Sequence, residues 1–126
     1  RREDIARRYN DAFGGLDTCF IPRDAGLGLH AWHLYILEVN GTALRIDRDE
    51  VIERLRGRGV GTSVHFIPLH LHPAYQRAYG YRAGEFPMAE AAFARAISLP
   101  IYPAMTDADV DHVIDVVRTT LCESRR

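Results

Sequence analysis

The 126-residue sequence predicts an α/β fold, a small sheet with helices packed mainly on one face, forming a single domain over residues 1–126. Three observations lead there. Helix-like and strand-like segments interleave in the order helix, strand, helix, strand, helices, short strand, helix, with no internal repeat and no low-complexity stretch. The run from Trp32 to Val39 is dense in aromatic and aliphatic side chains on both parities, as in a strand covered on both faces. Near the end of the chain, Val110, Val113, Ile114, Val117 and Leu121 form the buried stripe of an amphipathic helix. A chain of this length buries roughly two thirds of its unfolded surface in one core and is too short for two ordinary domains. Its composition, 47% hydrophobic and 26% charged, is that of a globular protein.

Each element has its own local cause. Ile5, Tyr9, Ala12 and Phe13 recur at helical spacing until Gly14 and Gly15 stop the pattern, so the first element is an amphipathic helix within residues 1–15. Residues 17–30 mix turn formers with a short apolar stretch and read as a loop carrying one short strand. The strand from Trp32 ends at Asn40 and Gly41. Asp47 then caps a helix in which Glu50 can reach back to the Asp47 amide, while Val51, Ile52 and Leu55 supply the buried stripe. Gly57 and Gly59 tolerate a left-handed turn at its end. Thr62–Ile67 reads as a second strand, with Val64 and Phe66 on the buried face and Ser63, His65 and Ile67 on the other. Ala74–Tyr79 is a short helix ending at Gly80, and Pro87 opens another that runs through Met88, Ala92 and Phe93 towards Ile97. Pro100 and Pro103 break the chain before Thr106 and Asp109, which are spaced as a capping box for the final helix. Trp32, Tyr35, Phe66, Tyr75, Tyr79, Tyr81 and Phe86 are many large rings for so small a core, and fit an interface or a crowded monomeric interior equally well.

Charge and composition exclude several functions. All sixteen cationic side chains are arginine, none is lysine, and the formal net charge is -1. Nucleic-acid binding is not expected, because it needs a basic surplus to displace counterions from phosphates. The pairs Arg1-Arg2, Arg7-Arg8 and Arg125-Arg126 read as solvated faces or tails. Cys19 and Cys122 lack the spacing of a zinc or redox pair, so both are expected reduced in a cytoplasmic protein. No apolar run approaches the roughly 20 residues of a membrane span, and no signal-peptide pattern opens the chain. The first residue is arginine in place of an initiator Met, as in a piece of a longer polypeptide or a processed chain.

Among motifs, the glycines at 57, 59 and 61 close a helix and precede a strand, the reverse of a dinucleotide fingerprint, so they read as cap and turn. The histidines are more informative. His65, His70 and His72 lie within eight residues, with His30 and His33 beside the earlier strand. Such imidazoles can pack with one nitrogen satisfied by backbone, hydrogen-bond a ligand, or hold a borderline metal. No acid or cysteine nearby completes a tetrahedral set, which argues against zinc. There is no G-x-S-x-G elbow and no self-contained catalytic set.

Four blocks together resemble a known family. His30–Tyr35, Arg48-Asp49-Glu50 leading to Leu55, Gly59–His70, and Ser98–Pro103 with Met105-Thr106-Asp107 resemble, in order and spacing, the C-terminal part of the DegT/DnrJ-type sugar aminotransferases. The resemblance covers essentially the whole chain, including the first helix, which is similar to the element linking the large and small domains. It implies the small C-terminal domain of a fold type I enzyme, with residues 1–15 as linking helix and 16–126 as the α/β core. It further implies a pyridoxal-phosphate-dependent parent, homodimeric, that moves an amino group from an amino acid, usually glutamate, to a keto group of a nucleotide-linked sugar. In that family the large N-terminal domain carries the Schiff-base lysine, the acid facing the pyridinium nitrogen and most phosphate contacts. A chain with no lysine cannot hold the cofactor covalently, so no catalytic, cofactor-binding or metal-binding residue is expected here. The expected contribution is to the substrate cleft, with His33, His65, His70 and His72 as candidate contacts. A free-standing α/β binding or regulatory module with a ligand-facing histidine cluster is the alternative reading of the same residues.

Overall fold

The architecture comes from a computed structural model that describes residues 1–23 and 28–126. Among the described residues, five α-helices and three strands follow one another as α1 (Arg2–Phe13), β1 (Cys19–Phe20), β2 (Tyr35–Val39), α2 (Arg48–Gly57), α3 (Pro73–Tyr79), α4 (Pro87–Arg95), β3 (Ala96–Leu99) and α5 (Asp107–Glu123), with a 3-10 turn at Leu69–Leu71 before α3. The three strands form an antiparallel sheet in the order β1-β2-β3, with Cys19 opposite Val39 and Tyr35 opposite Leu99. Part of the loop expected over residues 17–30 falls at 24–27, outside the described residues.

The parity of β2 divides the molecule. Tyr35, Leu37 and Val39 are buried on one face, where they meet Ile5, Tyr9 and Phe13 of α1, Val51 and Leu55 of α2, and Val110, Val113, Val117 and Leu121 of α5. Ile36 and Glu38 point to the other face, where Ile36, Glu38, Ala92 and Phe93 of α4 wall one cavity and Arg95 pairs with Glu38 at 3.1 Å. Helices α1, α2 and α5 thus cover one face, and α4 lies across the second. The two buried phenols of the main core are matched: the Tyr9 hydroxyl donates to the Pro100 carbonyl at 2.8 Å, and that of Tyr35 to Asn10 Oδ1 at 2.8 Å. Burial raises the pKa of both phenols, and both are neutral at physiological pH.

Local signals mostly act as their chemistry requires. The capping box of α5 is complete, with the Asp109 amide donating to Thr106 Oγ1 at 3.1 Å and the Thr106 amide donating to Asp109 Oδ2 at 2.8 Å. At α2 only half of the expected box forms: Asp47 accepts the Glu50 amide at 2.9 Å, but the Glu50 carboxylate pairs with Arg54 one turn on, at 2.6 Å. An ion pair at i,i+4 competes with the reach back to the cap and wins. Gly59 and Gly80 adopt the left-handed backbone, with φ of 82° and 74°, that ends α2 and α3.

The expected second strand at Thr62–Ile67 does not form. Only Ser63 pairs, with Ser98 of β3, through bonds of 3.2 and 2.8 Å. In that antiparallel register the next bonded pairs would set His65 opposite Ala96 and Gly61 opposite Pro100. The Ala96 amide is already committed to the Ala92 carbonyl as the cap of α4, and proline has no amide hydrogen. Pairing is blocked on both sides after one residue. The parity expectation fails with it: Phe66, placed on the buried face, is 74% exposed.

Candidate functional site

The histidines are positioned by three different elements. His33 follows Trp32, whose φ of 44° is left-handed and uncommon for so large a residue. That conformation costs about 1–2 kcal/mol. It is held by burial of the indole, which stacks on Tyr35 at 5.9 Å and meets the tilted His30 ring at 4.2 Å between ring centres, while the Trp32 amide donates to His30 Nδ1 at 2.9 Å. The turn leaves His33 exposed at the edge of a cavity of about 180 Å³.

His65 lines the same cavity, together with Gly61, Ser63, Ser98 and Ile101. Its Nδ1 lies 2.8 Å from Ser98 Oγ, and its ring meets the Phe66 ring edge-on at 4.6 Å. On its other side His65 borders a second cavity, of about 280 Å³, walled by Ile36, Phe66, Ala92 and Phe93. It is the one histidine of the four candidates that faces two cavities.

His70 is differently placed. It sits in the 3-10 turn, is only 5% exposed, and gives Nε2 to Glu90 Oε1 of α4 at 2.8 Å. The same carboxylate oxygen accepts the Gly84 amide at 2.7 Å, so Glu90 fastens the turn, the 82–85 loop and α4 to one another. The hydrogen bond from His70, with help from that amide, holds the Glu90 carboxyl below the usual carboxylate range. One edge of His70 faces an aromatic basin of about 430 Å³ formed with Leu69, Tyr75, Tyr79, Tyr81 and Phe86. His72 spends its Nε2–H on the Ile67 carbonyl at 3.2 Å. The structure therefore brings His33 and His65 to one cavity and His70 to another, with His72 bonded back to the chain between them.

Ser98 and Glu90, the partners that orient His65 and His70, escaped the sequence reading. Ser98 lies within a block that carries the family resemblance, but its pairing depends on the single-residue bridge to Ser63, which no alternation pattern records. Arg48 is a third such residue. It is buried, donates to the Ala96 carbonyl at 3.0 Å, lies 5.1 Å from the Phe93 ring centre, and so ties α2 to β3 and α4.

Other reactive groups are quiet. Burial pushes the Cys19 thiol up to about 11, which keeps it protonated and non-nucleophilic at neutral pH. Among the described residues no group of three His, Cys, Asp or Glu side chains is placed to hold a metal ion, and no helix is long and apolar enough to cross a membrane. Nor do the residues present fit pyridoxal phosphate as a covalent guest: there is no lysine to carry it.

Comparisons with known proteins bear on the family and the fold. Residues 1–118 match the DegT/DnrJ/EryC1/StrS aminotransferase family. The spore coat polysaccharide biosynthesis protein SpsC of Bacillus subtilis is 49% identical over 122 residues, covering 94% of this chain and 31% of SpsC. The aminotransferase TlmJ from Streptoalloteichus hindustanus superposes with a TM-score of 0.83 at 32% identity, over 97% of this chain and 31% of TlmJ. Spr1654 from Streptococcus pneumoniae, in its PLP-form, does so with a TM-score of 0.85 at 31% identity, over 97% of this chain and 31% of that one. The chain spans about a third of the length of the curated relatives it matches. With near-complete coverage of this chain by one family and backbone agreement throughout, the chain belongs to the DegT/DnrJ/EryC1/StrS aminotransferase family.

Proposed function

We propose that this chain is the small C-terminal domain of a pyridoxal-phosphate-dependent aminotransferase that moves an amino group from an amino acid, glutamate above all, to a keto group of a nucleotide-linked sugar. Residues 1–15 form the linking helix and 16–126 the α/β core; the parent is a cytoplasmic homodimer. The observation that carries the reading is the whole-chain match to this family at about 31% of the relatives' length, in a sequence with no lysine. Bound to the remainder of such a polypeptide, the cofactor supplies the electron sink for amino transfer. This chain supplies no bond to it. Its own work is to wall the cleft, exclude water and orient the substrate. His33 and His65, on one cavity, are the proposed polar contacts. His70 and His72 shape the adjoining segment, and His70 adds a polar edge to the aromatic basin.

The test compares the full reading frame that contains this chain with the chain alone. The full protein should show lysine-dependent cofactor absorbance and amino transfer to a keto sugar nucleotide, and the isolated chain neither. Amino transfer by the isolated chain, or by a parent stripped of its lysine-bearing domain, would refute the assignment.

A further inference from the structure

The hydroxyl of Ser98 has a hydrogen to place and few places to put it. Ser98 is 5% exposed, in the middle of β3, and its backbone amide and carbonyl are both engaged by Ser63. Among the described residues its Oγ has one hydrogen-bond partner, His65 Nδ1, at 2.8 Å. A buried hydroxyl with a single protein neighbour donates to it when that neighbour has a free lone pair, since the alternative leaves its hydrogen without a protein acceptor. Nδ1 of a neutral imidazole offers that lone pair only when the ring proton resides on Nε2. The Phe66 ring against the imidazole at 4.6 Å limits rotation of the ring, so the donor nitrogen keeps one direction.

We propose that Ser98 is a positioning residue which locks His65 in the Nε2–H tautomer, so that His65 offers a hydrogen-bond donor to an acceptor oxygen of the bound ligand. This rests on the reading of His65 as a ligand contact. The cavity shared by His33 and His65, about 180 Å³, is smaller than the roughly 300 Å³ at which whole-ligand pockets begin, so it takes one group of a larger molecule. An oxygen-rich group suits it: a sugar hydroxyl or a phosphate, each with lone pairs for Nε2–H. A locked tautomer matters because a histidine free to exchange its proton between nitrogens presents a donor only part of the time.

The experiment uses the full-length polypeptide that carries this chain, labelled with nitrogen-15 at histidine and held at about pH 8, where a free imidazole is neutral. His65 should show a pyridine-type Nδ1 and a pyrrole-type Nε2 as one dominant tautomer. Ser98→Ala should collapse that preference towards the averaged shifts of a free imidazole, and Ser98→Thr, which keeps the hydroxyl, should restore it. A proton on Nδ1 in the unaltered protein, or an unchanged tautomer in Ser98→Ala, overturns the proposal. Should Ser98→Ala fail to fold, Ser98→Cys, with a far weaker donor, takes its place with the same two outcomes. A second arm titrates the unaltered protein with UDP-glucose and with inorganic phosphate while following His65 Nε2. A shift with phosphate assigns the oxygen to a phosphoryl group, and a shift with UDP-glucose alone assigns it to the sugar nucleotide. No shift with either removes His65 from the ligand site, whatever its tautomer.

Discussion

Tyr9 and Tyr35 make the alkaline limit of this fold a sharp physical test. Both phenols are fully buried, and desolvation is the main cause that raises each pKa above the ordinary value near 10. In the unfolded chain they ionise near pH 10; in the folded chain they stay protonated. The unfolded state therefore loses protons that the native state retains, and stability falls as pH rises past that point, having been fully present below it. Each such group approaches a slope of about 1.4 kcal/mol per pH unit once its unfolded phenol is ionised; because that phenol is only half ionised at pH 10, the pair loses about 2 kcal/mol between pH 10 and 11 and more steeply above. The Cys19 thiol, raised to about 11 by burial, extends the same trend from the lower pH at which a free thiol ionises. Urea denaturation of the chain at half-unit steps from pH 8 to 11 measures this directly. A Tyr9→Phe, Tyr35→Phe double variant should be less stable at pH 8, each lost hydroxyl bond costing about 1 kcal/mol, yet should show a much shallower decline above pH 10. Equal slopes for the double variant and the unaltered chain would refute the account, as would a stability that holds level to pH 11.

Other outcomes follow from single contacts. Thr106→Ala removes one arm of the α5 capping box and should lower the thermal midpoint by several degrees, measured by circular dichroism. The Asp109 carboxyl is held low chiefly by the Thr106 hydroxyl, so its contribution is present above about pH 4 and lost as pH falls below that; in Thr106→Ala the acid decline should be shallower. The isolated chain should bind a hydrophobic dye through Phe66, Leu69, Met88 and the basin beside Tyr79, and Met88→Glu with Phe66→Ser should abolish most of that fluorescence. Dye binding unchanged in that pair would place the apolar surface elsewhere.

What could be read from the sequence was what adjacent residues decide among themselves. The stripe and capping box of α5, the proline start of α4 and the glycine stop of α3 all depend on residues within a turn or two of one another. Thr62–Ile67 failed as a strand for a non-local reason: its partner edge on β3 is bounded by an amide spent on α4 and by Pro100, more than thirty residues away in the chain. The candidate site divides the same way. Clustering of His65, His70 and His72 was visible as spacing, and the neighbourhood of His33 followed from the resemblance. The partners that distinguish them, Ser98 at 33 residues' separation and Glu90 at 20, were not, because tertiary packing alone brings them together.

Helix α4 shows why these histidines behave so differently although they are close in sequence. Its exposed residues are apolar on several sides, with Met88, Ala89, Ala91, Ala92 and Ala94 open to solvent and Met88 82% exposed. A helix of that composition has little to gain from water and is normally covered. The fold anchors it with Phe93 under Arg48 and with Glu90 bound to His70, so the helix is fixed before anything covers it. Using His70 for that purpose closes one of its ring nitrogens to any ligand. His65, anchored by a serine on β3, has no partner at Nε2 among the described residues and borders two cavities, one of them walled by α4. The same residue type thus supplies a brace in one case and an available donor in the other. What decides between them is whether the partner is a carboxylate that fastens a helix or a hydroxyl that fixes only the ring.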